Sequence, residues 1–155
     1  MTERWTERRR VCWAYSPGGH RAELERATAG IAFADCFHVT FAGGREPPRG
    51  DFRLYEVAHP RRSPWRTVLA TWQTLRIMLR ERPALVLSTG ADVAVPAIVI
   101  GKLMGAAVIY VESAATLAPS LTGRLAYPFA DLFIVPWPEK LAAFPRAELA
   151  SGPPL

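Results

Sequence analysis

Three short runs of this 155-residue chain are apolar without alternation: ALVLS at 84–88, AAVIYV at 106–111 and DLFIVP at 131–136. A strand with one wet face alternates apolar and polar residues. A continuous apolar run instead belongs to a strand covered on both faces, as in a parallel sheet between helical layers. The segments between the runs support this. Over 65–81, Trp65, Val68, Leu69, Trp72, Leu75 and Leu79 recur with a helical period, and Pro83 bars further helix. Leu24, Ala27, Thr28 and Ile31 mark a helix over 20–31 in the same way, with Glu23, Glu25 and Arg26 directed elsewhere. Further strands are expected at 11–16, 36–42 and 52–57, and further helices at 93–104 and 119–129. The pattern predicts a doubly wound α/β fold with a parallel sheet of about six strands. The length suits one domain, with a core over about 10–137 and a Pro- and Ala-rich tail over 138–155.

Ligands of such sheets bind beyond the carboxyl ends of the strands. That directs attention to residues 16–20, 43–46, 88–92, 112–120 and 136–139. The stretch Ser16-Pro17-Gly18-Gly19-His20 joins the first strand to the first helix. Its glycines suit either a plain tight turn or a backbone that approaches an anion at the helix start. It lacks the Lys-Ser/Thr of a nucleotide triphosphatase loop and the full spacing of a dinucleotide fingerprint. His20 is placed as a general base or as a helix-cap residue. Ser88-Thr89-Gly90-Ala91-Asp92 is a second loop at the same edge, suited to phosphate or sugar, with Thr89 or Asp92 also able to cap the next helix. Glu112-Ser113 ends the fifth strand. A carboxylate there needs a partner, which is a sugar hydroxyl, His20 or a structural cation.

The charge of +5 is uneven. Residues 1–82 carry fifteen Arg/Lys against nine Asp/Glu, and residues 83–155 carry four against five. A basic first half fits an anionic partner. The stretch 59–82 sets Trp65 and Trp72 among Arg61, Arg62, Arg66, Arg76, Arg80 and Arg82. It reads as a sheet-covering helix with solvated arginines, or as a helix that meets a membrane surface. No nucleic-acid-binding signature is present, and the arginines cluster with large apolar side chains, which favours lipid headgroups over duplex. The apolar runs are cut by Lys102 and Glu112, so neither spans a bilayer, and the first ten residues lack the apolar core of a signal peptide. Cys12 and Cys36 have no metal-ligand spacing and read as buried reduced thiols. No DxD motif and no metal-ligand set occurs, so neither metal nor cofactor is expected.

The segments SPGGHRAEL at 16–24, RPALVLSTGADVAVP at 82–96, GKLMGAAVIYVES at 101–113 and PSLTGRLAYPFADLFIVPWPE at 119–139 resemble, in order, the PssD-type subunits of bacterial polysaccharide glycosyltransferases. They also resemble the membrane-anchor subunit of the eukaryotic two-chain enzyme that extends dolichol-linked chitobiose. The resemblance implies the N-terminal, acceptor-binding half of a GT-B glycosyltransferase of the MurG type, with a Rossmann-like fold. A PssE-like partner chain would hold the UDP-sugar, and the active site would form between the two. His20 then takes the role of base toward the acceptor hydroxyl, and Glu112 that of the acceptor-side carboxylate. Ser16, Gly18, Gly19, Thr89, Gly90 and Ser113 line the site for a polyprenyl-diphosphate-linked glycan. Trp137, Pro138 and Glu139 begin the partner-contacting tail. The eukaryotic anchors start with a transmembrane helix that this sequence lacks. Attachment is therefore expected to be peripheral, at the cytoplasmic face, through the basic N-terminus, Arg61, Arg62, Trp65, Arg66 and Trp72, or the acceptor lipid. The alternative is a non-catalytic scaffold that recruits the catalytic partner to the membrane.

Overall fold

The computed structural model describes residues 5–43, 50 and 52–151. The elements are β1 (Trp5–Ala14), α1 (Gly19–Ala27), β2 (Ile31–Phe41), β3 (Arg53–Val57), α2 (Pro64–Glu81), β4 (Leu85–Ser88), α3 (Ala94–Leu103), β5 (Ala107–Val111), α4 (Leu121–Ala126), β6 (Leu132–Val135), a 3₁₀ turn (Pro138–Ala142) and β7 (Glu148–Leu149). All neighbouring strands pair in parallel, in the order β3-β2-β1-β4-β5-β6-β7. This is the doubly wound sheet that the apolar runs predict.

The helix expected over 20–31 ends at Ala27: Gly30, at φ 91°, turns the chain, and Ile31 opens β2, which starts earlier than the expected 36–42. Two further differences have physical causes. β1 begins at Trp5 and takes in the basic stretch Thr6–Arg10, which is paired to β2 with an irregularity between Glu7 and Arg10. The first part of this strand lies at the open end of the sheet and carries exposed polar side chains, so no apolar run marks it. The seventh strand, Glu148–Leu149, escapes notice because two residues carry no period. The segment after Trp137 is part of the fold, since Phe144 and Lys140 are buried and β7 pairs with β6. Residues 44–46 of the loop after β2, and residues 1–4 of the basic N-terminus, lie outside the described residues.

Side chains alternate across the sheet and build two layers. Cys12, Ala14, Phe37, Val39, Val86, Val108, Tyr110, Phe133 and Val135 face Ala70 and Met78 of α2, Ala97 and Ile98 of α3, and Ala126 of α4. Val11, Trp13, Tyr15, Cys36, Leu85 and Leu87 face the other way, toward Leu24 of α1. Both cysteines are free and buried, and burial pushes the Cys36 thiol up to about 12. Gly101 lets α3 sit close: a Cβ there would lie 2.6 Å from Val86 Cγ2 and 3.1 Å from Met78 Cε. Among the described residues, three helices therefore cover one face, and α1 with Phe52 packs on the other. Beside α1 the sheet is open in a cavity of about 410 Å³, whose apolar floor includes Leu85, Leu87, Ile109, Val111, Ile134 and Leu149.

Candidate functional site

β1 pairs with β2 on one side and β4 on the other, so the chain direction of the winding reverses between β1 and β4. The loops after these two strands therefore diverge to opposite faces and leave a crevice between them. Gly18 stands at the start of α1 with φ 96°, in the left-handed region that favours glycine. A Cβ on Gly18 or Gly19 would meet no atom within 4 Å, so open space lies over this turn. Ser16 is half-buried beside it.

The loop after β4 is built to hold His20. The Thr89 hydroxyl donates to the His20 carbonyl at 2.6 Å, and the Gly90 amide donates to Ser88 Oγ at 3.0 Å. Gly90 and Ala91 both have positive φ, 119° and 88°, a local strain that the surrounding contacts hold in place. A Cβ on Gly90 would lie 2.9 Å from the Tyr110 hydroxyl and 3.3 Å from His20 Cε1, so the imidazole rests against bare backbone. Thr89 is fully buried and its hydroxyl is committed to His20, so it positions that residue and does not reach a ligand. Neither Thr89 nor Asp92 caps α3, whose first turn has no side-chain cap.

The partner of His20 is Glu23, one helical turn on. Glu23 Oε2 lies 3.5 Å from His20 Nδ1, at the outer limit of hydrogen-bonding reach, and both atoms are shut off from solvent with no other partner. The other oxygen, Oε1, accepts from Ser113 Oγ at 2.8 Å and from the Ala114 amide at 3.2 Å. Glu23 is thus held from the loop after β5, and a third of the His20 side chain, 33%, stays exposed. A carboxylate beside Nδ1 favours the proton there in the neutral ring, which leaves Nε2 as the acceptor nitrogen. Sequence reasoning set Glu23 aside as an outward residue, although its i, i+3 spacing from His20 places both on one helix face.

Glu112 is not the partner of His20. It is 1% exposed, its Oε1 accepts from Lys140 Nζ at 3.1 Å and from the Ser120 amide at 2.9 Å, and its Oε2 accepts from the Ser120 hydroxyl at 3.1 Å. Gly123 packs directly on this carboxylate. Of the roles open to Glu112 in the sequence, the structure shows the structural ion pair. Lys140 also donates to the Ser113 carbonyl at 2.7 Å, and Trp137 Nε1 donates to the Ala114 carbonyl at 3.1 Å. The two contacts tie the 3₁₀ turn to the loop that holds Glu23. Pro138 and Glu139 are exposed beside them.

A separate surface lies on α2. The helix buries Ala70, Thr74, Met78 and Glu81, while Trp65, Val68, Leu69, Trp72 and Leu79 remain exposed, Trp65 by 75% and Trp72 by 57%. Arg61, Arg62 and Arg66 are exposed at its start. The large apolar stripe found by period therefore points away from the sheet. Among the described residues no helix is long and apolar enough to cross a membrane.

Comparison with known proteins completes the description. A UDP-N-acetylglucosamine–N-acetylmuramyl-(pentapeptide) pyrophosphoryl-undecaprenol N-acetylglucosamine transferase of Oceanobacillus iheyensis is 31% identical over 97 residues, 63% of this chain and 27% of its own. The UDP-N-acetylglucosamine transferase subunit ALG14 of Mus musculus is 32% identical over 88 residues, 52% of this chain and 41% of its own. Among solved structures, MurG of Acinetobacter baumannii superposes with a TM-score of 0.63 at 17% identity, over 83% of this chain and 42% of that one. The chain thus spans less than half the length of each of these proteins. The family model described as "Oligosaccharide biosynthesis protein Alg14 like" matches residues 56–152. That match covers Ser113, Glu112 and Lys140 and begins after His20 and Glu23, and on its extent the chain belongs to the Alg14-like family of oligosaccharide biosynthesis proteins.

Proposed function

We propose that this chain is the acceptor-binding, membrane-associating half of a two-chain glycosyltransferase. It would move a sugar from a UDP-sugar to a polyprenyl-diphosphate-linked acceptor in the assembly of a lipid-linked glycan. The observation that carries the reading is the His20–Glu23 pair in the crevice between β1 and β4, with open space over Gly18 and Gly19 beside it. His20 Nε2 takes the proton of the acceptor hydroxyl. The freed oxygen attacks the anomeric carbon, the bond to UDP breaks, and the configuration inverts. Glu23 keeps the proton on Nδ1 and stabilises the imidazolium that forms. The amides at the start of α1 face the acceptor diphosphate from the Gly18-Gly19 side. Gly90 keeps the other wall low. Ser16 and Ser113 flank the site.

Two surfaces support the remaining parts of the reading. The exposed tryptophans of α2 with Arg61, Arg62 and Arg66 suit a membrane of anionic lipid at the cytoplasmic face, where the acceptor would be held. The open sheet face beside β7 suits the donor-binding chain, PssE-like in the sequence reading. Its apolar floor needs a cover. Trp137, Pro138 and Glu139 lie on the same C-terminal segment.

The test is transfer from UDP-N-acetylglucosamine into a lipid extract of the native cell. The samples are this chain alone, its partner alone, both together, and both with His20→Ala. Transfer only by the pair, falling by about 10²–10⁴-fold in the variant, supports a split enzyme with His20 as base. Full transfer by the variant pair, or by the partner alone, makes this chain a scaffold.

A further inference from the structure

The Glu23 carboxylate depends on a residue far from it in sequence. Its Oε1 is fastened by Ser113 Oγ and the Ala114 amide, and only its Oε2 faces His20. Ser113 is itself fastened from behind, because its carbonyl accepts from Lys140 Nζ, a side chain with no exposure that is also paired with Glu112. Its hydroxyl oxygen accepts in turn from the Ala115 amide at 3.2 Å. The polar contacts therefore run from the 3₁₀ turn through Ser113 to Glu23 and end at Nδ1 of His20.

We propose that Ser113 is a positioning residue for His20: it holds Glu23 in the one rotamer that sets a carboxylate against Nδ1, and Lys140 holds Ser113. The physical argument is one of freedom. A glutamate side chain has three rotatable bonds and, at this site, only one oxygen directed to the imidazole. Without Ser113 Oγ, the carboxylate keeps the Ala114 amide alone, at the longer of its two distances. It then turns toward water, and Nδ1 loses the carboxylate that faces it. The neutral ring becomes a mixture of both tautomers, and a fraction of the molecules carries its proton on Nε2, where it cannot accept another. This rests on His20 acting as the base, so the test separates the two ideas.

The measurement is imidazole ¹⁵N NMR of the full chain at a pH where the ring is neutral, with the His20 signals assigned from His20→Ala. It is paired with the transfer assay in the presence of the partner chain. Ser113→Ala is half-buried and removes one oxygen, and Ser113→Thr restores the hydroxyl. The expected result is a wild-type ring protonated at Nδ1, a mixed ring in Ser113→Ala, and recovery in Ser113→Thr. The transfer rate kcat should fall by roughly tenfold in Ser113→Ala, part of the full effect of a general base, with KM for the UDP-sugar unchanged. An unchanged tautomer in Ser113→Ala overturns the proposal, as does a changed tautomer with unchanged kcat. If the wild-type pair transfers no sugar, the enzymatic reading fails, and the NMR comparison still decides whether Ser113 positions the ring.

Discussion

His38 sits between the rings of Trp13 and Phe52, at centroid separations of 4.9 and 3.8 Å, and its Nδ1 is 2.7 Å from the Tyr15 hydroxyl. Burial, with a smaller contribution from Arg21, lowers its pKa from 6.5 to about 3. Burial also pushes the Tyr15 hydroxyl up to about 12, so that it keeps its proton and donates to the neutral ring. The unfolded chain binds a proton at His38 below pH 6.5 and the folded chain does not until about 3, so folding loses stability across that interval as the pH falls. The loss is about 1.4 kcal/mol for each unit below the unfolded pKa. Urea midpoints should hold from pH 7.5 to about 6.5 and fall from there to pH 5. In His38→Phe the slope should flatten, and an equal slope in both proteins would exclude His38 as its source. His20 stands in a different setting, with a carboxylate beside it and part of the ring in solvent. The sequence sets His20 at a helix start and His38 within a strand, but not their contacts. His38 is fixed by the rings of Trp13 on β1 and Phe52 just before β3, and His20 by a loop 69 residues away.

α2 shows what period can and cannot say about an element. The expected helix over 65–81 is present, with its first residue at Pro64. Its buried face is Ala70, Thr74, Met78 and Glu81. Met78 fills the space that Gly101 of α3 leaves open, and the tryptophans turn outward. A period locates a face, and the depth of the neighbouring helix decides which face is buried. Substituting Trp65→Ser and Trp72→Ser together should leave stability within about 0.5 kcal/mol, because both side chains are exposed. Sedimentation with vesicles of anionic lipid should fall to background in that variant. Undiminished sedimentation would remove α2 from the membrane surface.

At the scale of the whole molecule, the strand order places α1 on one face of the sheet and α2, α3 and α4 on the other. The half of the sheet from β4 to β7 is left open on the α1 side, where Leu149 is 45% exposed at the cavity edge. Leu149→Asp should weaken co-purification with the proposed donor-binding partner by at least tenfold while the isolated chain still unfolds cooperatively. An unaffected pair would place the partner on another surface. The same order brings residues 20, 23, 89, 113 and 140 into one connected set.

The sequence by itself determined most of the elements, the parallel sheet and the loops where a site would lie. Each of these follows from spacing within a few residues: a continuous apolar run, a helical period, or glycines between a strand and a helix. It determined His20 as a candidate because a loop after the first strand opens at the carboxyl edge. The carboxylate that serves His20 was decided by tertiary structure alone. Glu112 lies closer to the edge in the sequence reading, but Lys140 approaches from the 3₁₀ turn and takes it, and Ser113 turns to hold Glu23. Gly123, an unremarkable glycine inside α4 when read in sequence, is required because a Cβ there would collide with Glu112. Such choices depend on side chains separated by up to 90 positions that meet only once the sheet order is set, and no local pattern encodes that meeting.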